Sequence, residues 1–269
     1  MTPASFRLQA AYNRAAILPL IKVEIHAFWQ TKFMLLSEMM MPVLYFFFIA
    51  IPLSGSIKSI PFHGTWIAYP NYVLIGLMAM NMMSQMTRVI YRMCVDRQYG
   101  LFAIKMQSGV HPVCYLLVMS ISSLMGYSIQ CMVFYVLNLF FQLGMRGSIF
   151  FQLWLIGGIA FFFWAGIATI ITMHVNDFQT RDTIVSFVIT PLSFSAPAFY
   201  VWQDAPRFIQ YLSLCNPLTY QLEALREVAF ATLQPSTLAL VIGCSLVSVI
   251  ASFLSIRYAS LLVKEGGDG

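Results

Sequence analysis

Long apolar runs separated by short polar segments most constrain how this chain can fold. Of its 269 residues, 59% are hydrophobic and only 9% are charged, whereas a soluble domain has about 25% charged residues. A surface so poor in charge must be covered largely by lipid. Crossing a bilayer as a helix takes about 20 residues, and six runs reach that length: 33–53, 71–91, 113–142, 150–173, 183–202 and 236–263.

These runs predict an all-α, polytopic membrane protein with six transmembrane helices. Backbone in hydrocarbon must satisfy its own hydrogen bonds, and a helix does so within a single segment. The third run is longer than a bilayer requires, so that helix is expected to tilt or to project from the membrane. No repeat or linker divides the sequence, and residues 1–269 are predicted to form a single transmembrane domain.

Basic residues indicate the orientation. Of the 15 lysines and arginines, 11 fall before the first run, between the second and third or in the last turn of the second, between the fourth and fifth, or in the last turns of the sixth and beyond it. Cytoplasmic segments carry the excess of positive charge. Both termini are therefore predicted to be cytoplasmic in an integral membrane protein, and no cleavable signal peptide is expected.

Residues 14–32 predict a helix ahead of the first span. Ile17, Ile21, Ile25, Phe28 and Trp29 recur at helical spacing. We expect this helix to lie in the cytoplasmic membrane interface. The alternative is a soluble helix packed on a partner.

Several kinds of chemistry lack sequence support. The sequence has no GxxxxGK[ST] phosphate loop, so this chain is not expected to hydrolyse ATP or to hold a cofactor. The five cysteines are scattered, and the four histidines are too widely spaced in sequence to predict a metal site. A net charge of +5 is small for binding a nucleic acid, and none is expected.

The loop at 96–110 predicts a short helix on the cytoplasmic side. Leu101, Phe102 and Ile104 are expected to be exposed there, and Gly109 and Pro112 to end the segment. An amphipathic helix with an exposed apolar side requires a groove on a partner. The alternative is an ordinary positively charged loop.

Residues 203–231 predict a helical hairpin on the outer side. Asp204 is expected to cap the first helix, and Asn216 to cap a second helix that Pro217 opens. A contact between Glu223 and Arg226 is possible at a spacing of three residues. The alternative is an amphipathic loop without a role in gating.

Together these segments resemble the membrane subunit of type-2 ABC transporters. The run from Asn216 to Tyr220, followed by Glu223 to Arg226, is similar to the family's most recognisable sequence. Asp96, Gly100, Lys105 and Pro112 match its cytoplasmic loop in order. The turn at 108–112 departs from the pattern, because many members have a Thr-Pro pair earlier in it.

The resemblance implies a permease subunit whose motor is a separate ABC ATPase carrying ATP and Mg²⁺. It also implies a second membrane subunit, identical or paralogous, and a bacterial inner membrane. The outer hairpin would be re-entrant and would gate the path through Asn216, Pro217, Tyr220, Glu223 and Arg226. The loop would be a coupling helix that docks on the ATPase through Asp96, Arg97, Gly100, Leu101, Phe102 and Lys105.

Polar residues within the spans are candidates to line a transport path. Asn81, Gln85 and Arg88 share a helix face that should point away from lipid. Asn138 is a further candidate, as is Glu38, which either snorkels to the interface or pairs with a basic residue such as Arg88 or Arg92. Helix–helix hydrogen bonding is the alternative for each of them.

The sequence favours an exporter of amphipathic or hydrophobic small molecules, such as a drug or antibiotic. Seventeen methionines, many of them within spans, suit a surface that binds varied apolar ligands. Export of a lipid-linked or capsular polysaccharide is an alternative, because aromatic residues are also abundant. An ion-coupled secondary transporter is a third possibility, with Glu38 as its candidate acid.

Overall fold

The computed structural model describes residues 17–175 and 178–259, and this part of the chain is mostly helical. The helices are α1 (Ile17–Gln30), α2 (Lys32–Tyr45), α3 (Ile51–Ser54), α4 (Tyr69–Gln98), α5 (Leu101–Gln107), α6 (Pro112–Phe140), α7 (Gly147–His174), α8 (Phe178–Ile184), α9 (Thr190–Ser195), α10 (Arg207–Cys215), α11 (Pro217–Phe230) and α12 (Pro235–Tyr258). Two strands, β1 (Ser59–Phe62) and β2 (Thr65–Ala68), form an antiparallel hairpin.

Within the described residues, five helical stretches are long and apolar enough to cross a bilayer. They correspond to the first, second, third, fourth and sixth predicted spans, and they are Leu36–Ser54, Tyr69–Gln98, Pro112–Phe140, Gly147–His174 and Pro235–Tyr258. Helix α4 lies at the centre, where 89% of its most apolar window is buried, against 11% for the first stretch and 28% for the last. The first and last stretches therefore leave most of their surface to lipid or to a partner.

The predicted span at 183–202 is a broken helix, and its predicted end is wrong. Helix α8 continues through a π-helical turn, Val185–Ile189, into α9, which ends at Ser195. Ala196 is extended because it precedes Pro197, and a residue before proline is disfavoured in a helix. Residues 196–201 consequently form a non-helical segment after the last residue of α9.

Proline explains both π-helical turns. One turn, Phe46–Ala50, ends two residues before Pro52, and the other ends two residues before Pro191. Proline has no N–H to donate, and its ring crowds the carbonyl four residues earlier. A wider turn at that point relieves both problems.

Helix α1 confirms part of the predicted N-terminal helix, of which residues 14–16 lie outside the described residues. It packs against α6. Phe28 is buried as the pattern predicts, whereas Trp29 is exposed. Glu24, fully buried, bonds Arg92 of α4 through both carboxylate oxygens, at 2.6 and 3.0 Å. This ion pair fixes α1 to the central helix.

Small residues bring α12 against α7. A Cβ built on Gly166 would lie 2.3 Å from Ser248 Oγ, so the two helices touch at the backbone there. Ser245 and Ser248 donate hydrogen bonds to the carbonyls of Ile159 and Phe163, at 3.0 and 2.7 Å. Close packing of small residues with hydroxyl bonds across the contact is typical of membrane helices.

The outer loop between the first two spans forms the β1–β2 hairpin, which the all-α prediction lacks. Two residues connect its strands, His63 and Gly64, both with positive φ (45° and 80°). A two-residue turn of this hand matches the twist of the strands. Glycine accepts such a conformation readily, and histidine does so more often than most residues.

Candidate functional site

A buried arginine connects α11 to α4 and to the non-helical segment at 196–201. Arg226 of α11 is 2% exposed, and its Nη2 donates a hydrogen bond to the carbonyl of Pro197 at 2.7 Å. Its guanidinium carbon lies 3.5 Å from the centre of the Tyr72 ring. Burial lowers the pKa of Arg226 to about 10, so the side chain remains charged at neutral pH.

Two tyrosines of α4 complete this junction. Tyr72 Oη donates a hydrogen bond to the Tyr200 carbonyl at 3.0 Å, and Tyr69 Oη donates one to the Phe199 carbonyl at 3.1 Å. Non-helical backbone buried in protein needs such partners. The segment at 196–201 is thus held from one side by α4 and from the other by Arg226.

The predicted outer hairpin is present as α10 and α11, and Asn216 joins them. Asn216 Oδ1 accepts a hydrogen bond from the Leu218 N–H at 2.9 Å, which confirms the predicted cap of the second helix. Its Nδ2 also bonds the Leu192 carbonyl, so one side chain ties the hairpin to α9. The predicted capping by Asp204 is wrong, because α10 follows Pro206 without a side-chain cap.

The other predicted gate residues have separate contacts. Pro217 opens α11 as expected. Tyr220 donates a hydrogen bond to the Leu214 carbonyl at 2.8 Å. Glu223 does not hydrogen-bond to Arg226; its Oε1 lies 2.9 Å from Nε2 of His63. An outward-opening pocket of about 460 Å³ includes Tyr220, Glu223, Arg226 and His63 in its lining.

A second cavity, of about 340 Å³, lies between α2, α4 and the α8–α9 segment. Two predicted path residues, Glu38 and Asn81, line it. The cavity is also lined by two hydroxyl-bearing residues, Ser84 and Thr87, and by three methionines, Met41, Met80 and Met83. The cavity is therefore amphipathic, with polar groups on α2 and α4 and soft apolar side chains around them.

Glu38 pairs with one of the two arginines named as its possible partners. Arg88 Nη2 donates a hydrogen bond to Glu38 Oε2, and Arg88 is 4% exposed, whereas the Glu38 side chain is 28% exposed. The ion pair is therefore partly buried, and it joins α2 to α4 beside the cavity. Asn81 Nδ2 is buried beside them and has no hydrogen-bond partner within the described part of the chain.

The other two predicted path residues do not line this cavity. Gln85 points towards α6, where its Nε2 donates a hydrogen bond to Gln130 Oε1 at 3.0 Å. Asn138 bonds Met145 in both directions, at 2.9 and 3.1 Å, and so closes the loop before α7. For Gln85 the alternative prediction, helix–helix hydrogen bonding, describes the structure, whereas Asn138 bonds the backbone of the loop between α6 and α7.

The loop between α4 and α6 contains the predicted short helix, now α5 (Leu101–Gln107), which begins after Gly100 at a φ of 71°. Phe102 is fully buried with its ring 5.3 Å from that of Tyr115, so its predicted exposure is wrong. Tyr115 belongs to α6. The chain itself supplies the groove that Phe102 requires.

Charged residues of the same loop are also internal. Asp96 accepts hydrogen bonds from Lys105 and from Tyr115 Oη, the latter at 3.1 Å. Arg97 is buried, and its Nη1 donates a hydrogen bond to the Thr172 carbonyl of α7 at 2.6 Å. The Lys105–Asp96 bond ties α5 directly to α4, and the end of α4 is bonded in turn to α6 and to α7. Three large apolar side chains in and next to α5 are nevertheless exposed, those of Tyr99, Leu101 and Ile104.

Sequence reasoning missed one group of residues at the outer end, His63, Glu223 and Glu227. One ligand atom from each lies within 4.8 Å of the other two. The spacing of Glu223 and Glu227 places both on one face of α11. The partner in the β-hairpin is 160 residues away and gives no local signal.

Comparison with known proteins agrees with this geometry. The family model described as ABC-2 type transporter matches residues 16–230, which include α1, the first five predicted spans, α5 and the outer hairpin. No match is found among curated proteins.

Proposed function

Because the chain belongs to the ABC-2 type transporter family, and so is an integral membrane permease subunit, we propose that it forms half of the pore of an ATP-driven exporter. The transported molecule is an amphipathic or hydrophobic small molecule, drug-like or antibiotic-like. It leaves the cytoplasm or the inner leaflet by alternating access. The membrane is a bacterial inner membrane, with both termini on the cytoplasmic side.

The amphipathic cavity is the observation that carries this assignment. Its polar groups, Glu38, Asn81, Ser84 and Thr87, are few and lie among methionines and other apolar residues. A site of this composition can orient a polar group of a ligand while methionine adapts to varied apolar parts. A polysaccharide would require many more hydrogen-bonding groups along its path.

A second membrane subunit, identical or paralogous, is the proposed partner for the open side of this cavity. Helix α2 and the α8–α9 segment border it, and both expose large apolar side chains, among them Met41, Phe187 and Phe194. The α8–α9 segment would serve as the remaining, sixth, membrane helix. The outer hairpin would be re-entrant and would wall the top of the path.

ATP and Mg²⁺ would bind to a separate ABC ATPase, since the family is that of the permease rather than of the nucleotide-binding domain. The exposed face of α5 is the proposed docking surface. Its apolar residues are presented by a helix that Lys105 bonds to Asp96 of α4, and the end of α4 is bonded in turn to α6 and α7. A push on this face would therefore move three long helices together.

Export is tested by reconstituting the chain with its ATPase in inside-out vesicles and adding a fluorescent amphipathic dye. We expect ATP-dependent accumulation of the dye, and none with an ATPase whose phosphate-loop lysine is replaced. ATP-dependent movement of an oligosaccharide but not of the dye would contradict the proposed cargo. Movement driven by an ion gradient alone would contradict the proposed mechanism.

Replacing Ile104 with aspartate should uncouple the permease from the ATPase. Ile104 is 61% exposed at the centre of the docking face, and loss of a central apolar anchor costs about 2 kcal/mol or more in an interface. We expect the affinity for the ATPase to fall roughly 30-fold, with membrane insertion and the melting temperature unchanged. Pull-down of the ATPase at graded concentrations measures this.

The matched control is Ile57→Asp, the same change at an exposed site before the β-hairpin, at the other end of α4. It should leave ATPase binding at the wild-type level. Equal losses in the two variants would mean that the added charge, rather than the face of α5, weakens binding.

A further inference from the structure

An imidazole and two carboxylates meet where the β-hairpin contacts α11. His63 Nε2 lies 2.9 Å from Glu223 Oε1, and one ligand atom from Glu227 lies within 4.8 Å of both partners. The residues come from two elements far apart in the chain. Packing of the tertiary structure, rather than local sequence, therefore creates the cluster.

The local geometry points all three groups to one place. Glu223 and Glu227 are four residues apart on α11, so they lie one above the other on the same helix face. His63 occupies the first position of the two-residue turn, with a positive φ. Its ring then reaches across to the first turns of α11, where it meets Glu223.

The two carboxylates lack a matching cation. Like charges four residues apart destabilise a helix. Among residues 17–175 and 178–259, no lysine or arginine forms an ion pair with Glu223 or Glu227. Arg226 is adjacent in sequence and its charge acts on Glu223, but its guanidinium faces Tyr72 and Pro197 instead.

Glu227 is also held in position by neutral donors. It is 3% exposed, and it accepts hydrogen bonds from the Gln234 N–H at 3.0 Å and from Thr237 Oγ1 at 3.2 Å. These groups precede and begin α12. They fix the carboxylate without neutralising it, which is how second-shell hydrogen bonds orient a metal ligand.

We propose that His63, Glu223 and Glu227 bind a divalent transition-metal ion, with preference for Zn²⁺, on the outer face of the protein. One imidazole nitrogen and two carboxylate oxygens suit Zn²⁺, whereas Ca²⁺ and Mg²⁺ prefer oxygen donors alone. Three protein ligands leave a fourth tetrahedral position for water. The side chains of His63 and Glu223 are 47% and 41% exposed, so an ion can enter from outside.

Binding would join the β-hairpin to α11 and thereby stabilise the closed outer end. The ion adds a bridge between elements that otherwise meet here through one histidine–glutamate bond. A ligand that binds only the folded arrangement stabilises it by mass action. This inference holds whatever molecule the protein exports, so its test does not depend on transport.

Zinc binding is measured on the full chain, purified with its co-purifying ATPase and stripped with a chelator. Titration calorimetry with ZnCl₂ should show one site per chain. His63→Ala, Glu223→Gln and Glu227→Gln should each weaken binding at least about 10-fold, because even second-shell losses cost 10- to 100-fold in affinity. Asp204→Asn, an exposed acid outside the cluster, is the matched control and should bind as wild type does.

A thermal measurement separates metal binding from a structural role. Saturating ZnCl₂ should raise the melting temperature of the wild type and of Asp204→Asn, but not that of His63→Ala, and equal CaCl₂ should not raise it. The metal-free His63→Ala variant shows whether the mutation itself unfolds the protein. No zinc binding by the wild type, or equal binding by all variants, would overturn the proposal.

Discussion

Replacing Arg226 with alanine should lower the free energy of unfolding by about 3 to 5 kcal/mol, since a desolvated cation–π contact contributes about 2 kcal/mol and a hydrogen bond to a charged group about 1.5 to 3. The variant loses the contact with Tyr72 and leaves the Pro197 carbonyl with only the longer, 3.4 Å hydrogen bond from Tyr72 Oη. We expect export to fail because the segment at 196–201 is released. Thermal unfolding of the detergent-purified complex measures the effect.

Two variants control for charge and for arginine loss in general. Arg226→Lys keeps a cation but lacks the planar guanidinium, which stacks on Tyr72 and at the same time donates a hydrogen bond to the Pro197 carbonyl. This variant should therefore keep only part of the stability that Arg226→Ala loses. Arg207→Ala, at an exposed position in α10, should behave as wild type. Wild-type stability of Arg226→Ala would show that the buried guanidinium does not hold the outer segment.

Gly76→Ala should destabilise the protein by at least about 3 kcal/mol, at the upper end of overpacking costs in cores. A Cβ at this position would lie 2.4 Å from the Ala198 carbonyl oxygen and 2.9 Å from two further backbone atoms. Backbone cannot move aside as a flexible side chain can. Helix α4 and the non-helical segment would therefore have to separate, with loss of the Tyr72 and Arg226 contacts.

The control is Gly243→Ala in α12, where an added Cβ meets nothing within 4 Å. Alanine is favoured over glycine in a helix by about 1 kcal/mol, so this variant should be as stable as wild type or more so. Melting temperatures of the two variants, compared side by side, isolate the clash. A stable Gly76→Ala protein would contradict the close approach of α4 to Ala198.

Apolar run length was sufficient to predict most of the membrane helices. Five predicted spans agree with helices because uninterrupted apolar sequence has few options in lipid. The remaining predicted span, the fifth at 183–202, extended past Ser195 because its apolar composition continues beyond the helix. Pro197 was visible there, but composition alone did not show that α4 and α11 would satisfy the exposed backbone.

Contacts between distant elements limited the prediction of the candidate sites. The Asn216 cap and the Glu38–Arg88 pair followed from spacing and from charge within the membrane. Phe102 was expected to need a partner, and the partner is Tyr115 of the same chain. The approach of His63 to Glu223 depends on a two-residue turn and a separation of 160 residues, neither of which gives an apolar or periodic signal.

The shape of the segment at 196–201 is specified largely outside the segment. Its carbonyl groups are bonded by side chains of Tyr69, Tyr72 and Arg226, which lie on two other elements. Grafting these six residues alone into a related transporter would therefore not transfer their conformation. A chimaera would have to carry the three donors as well, and the segment with its donors is the smallest unit that can be exchanged at this end of the protein.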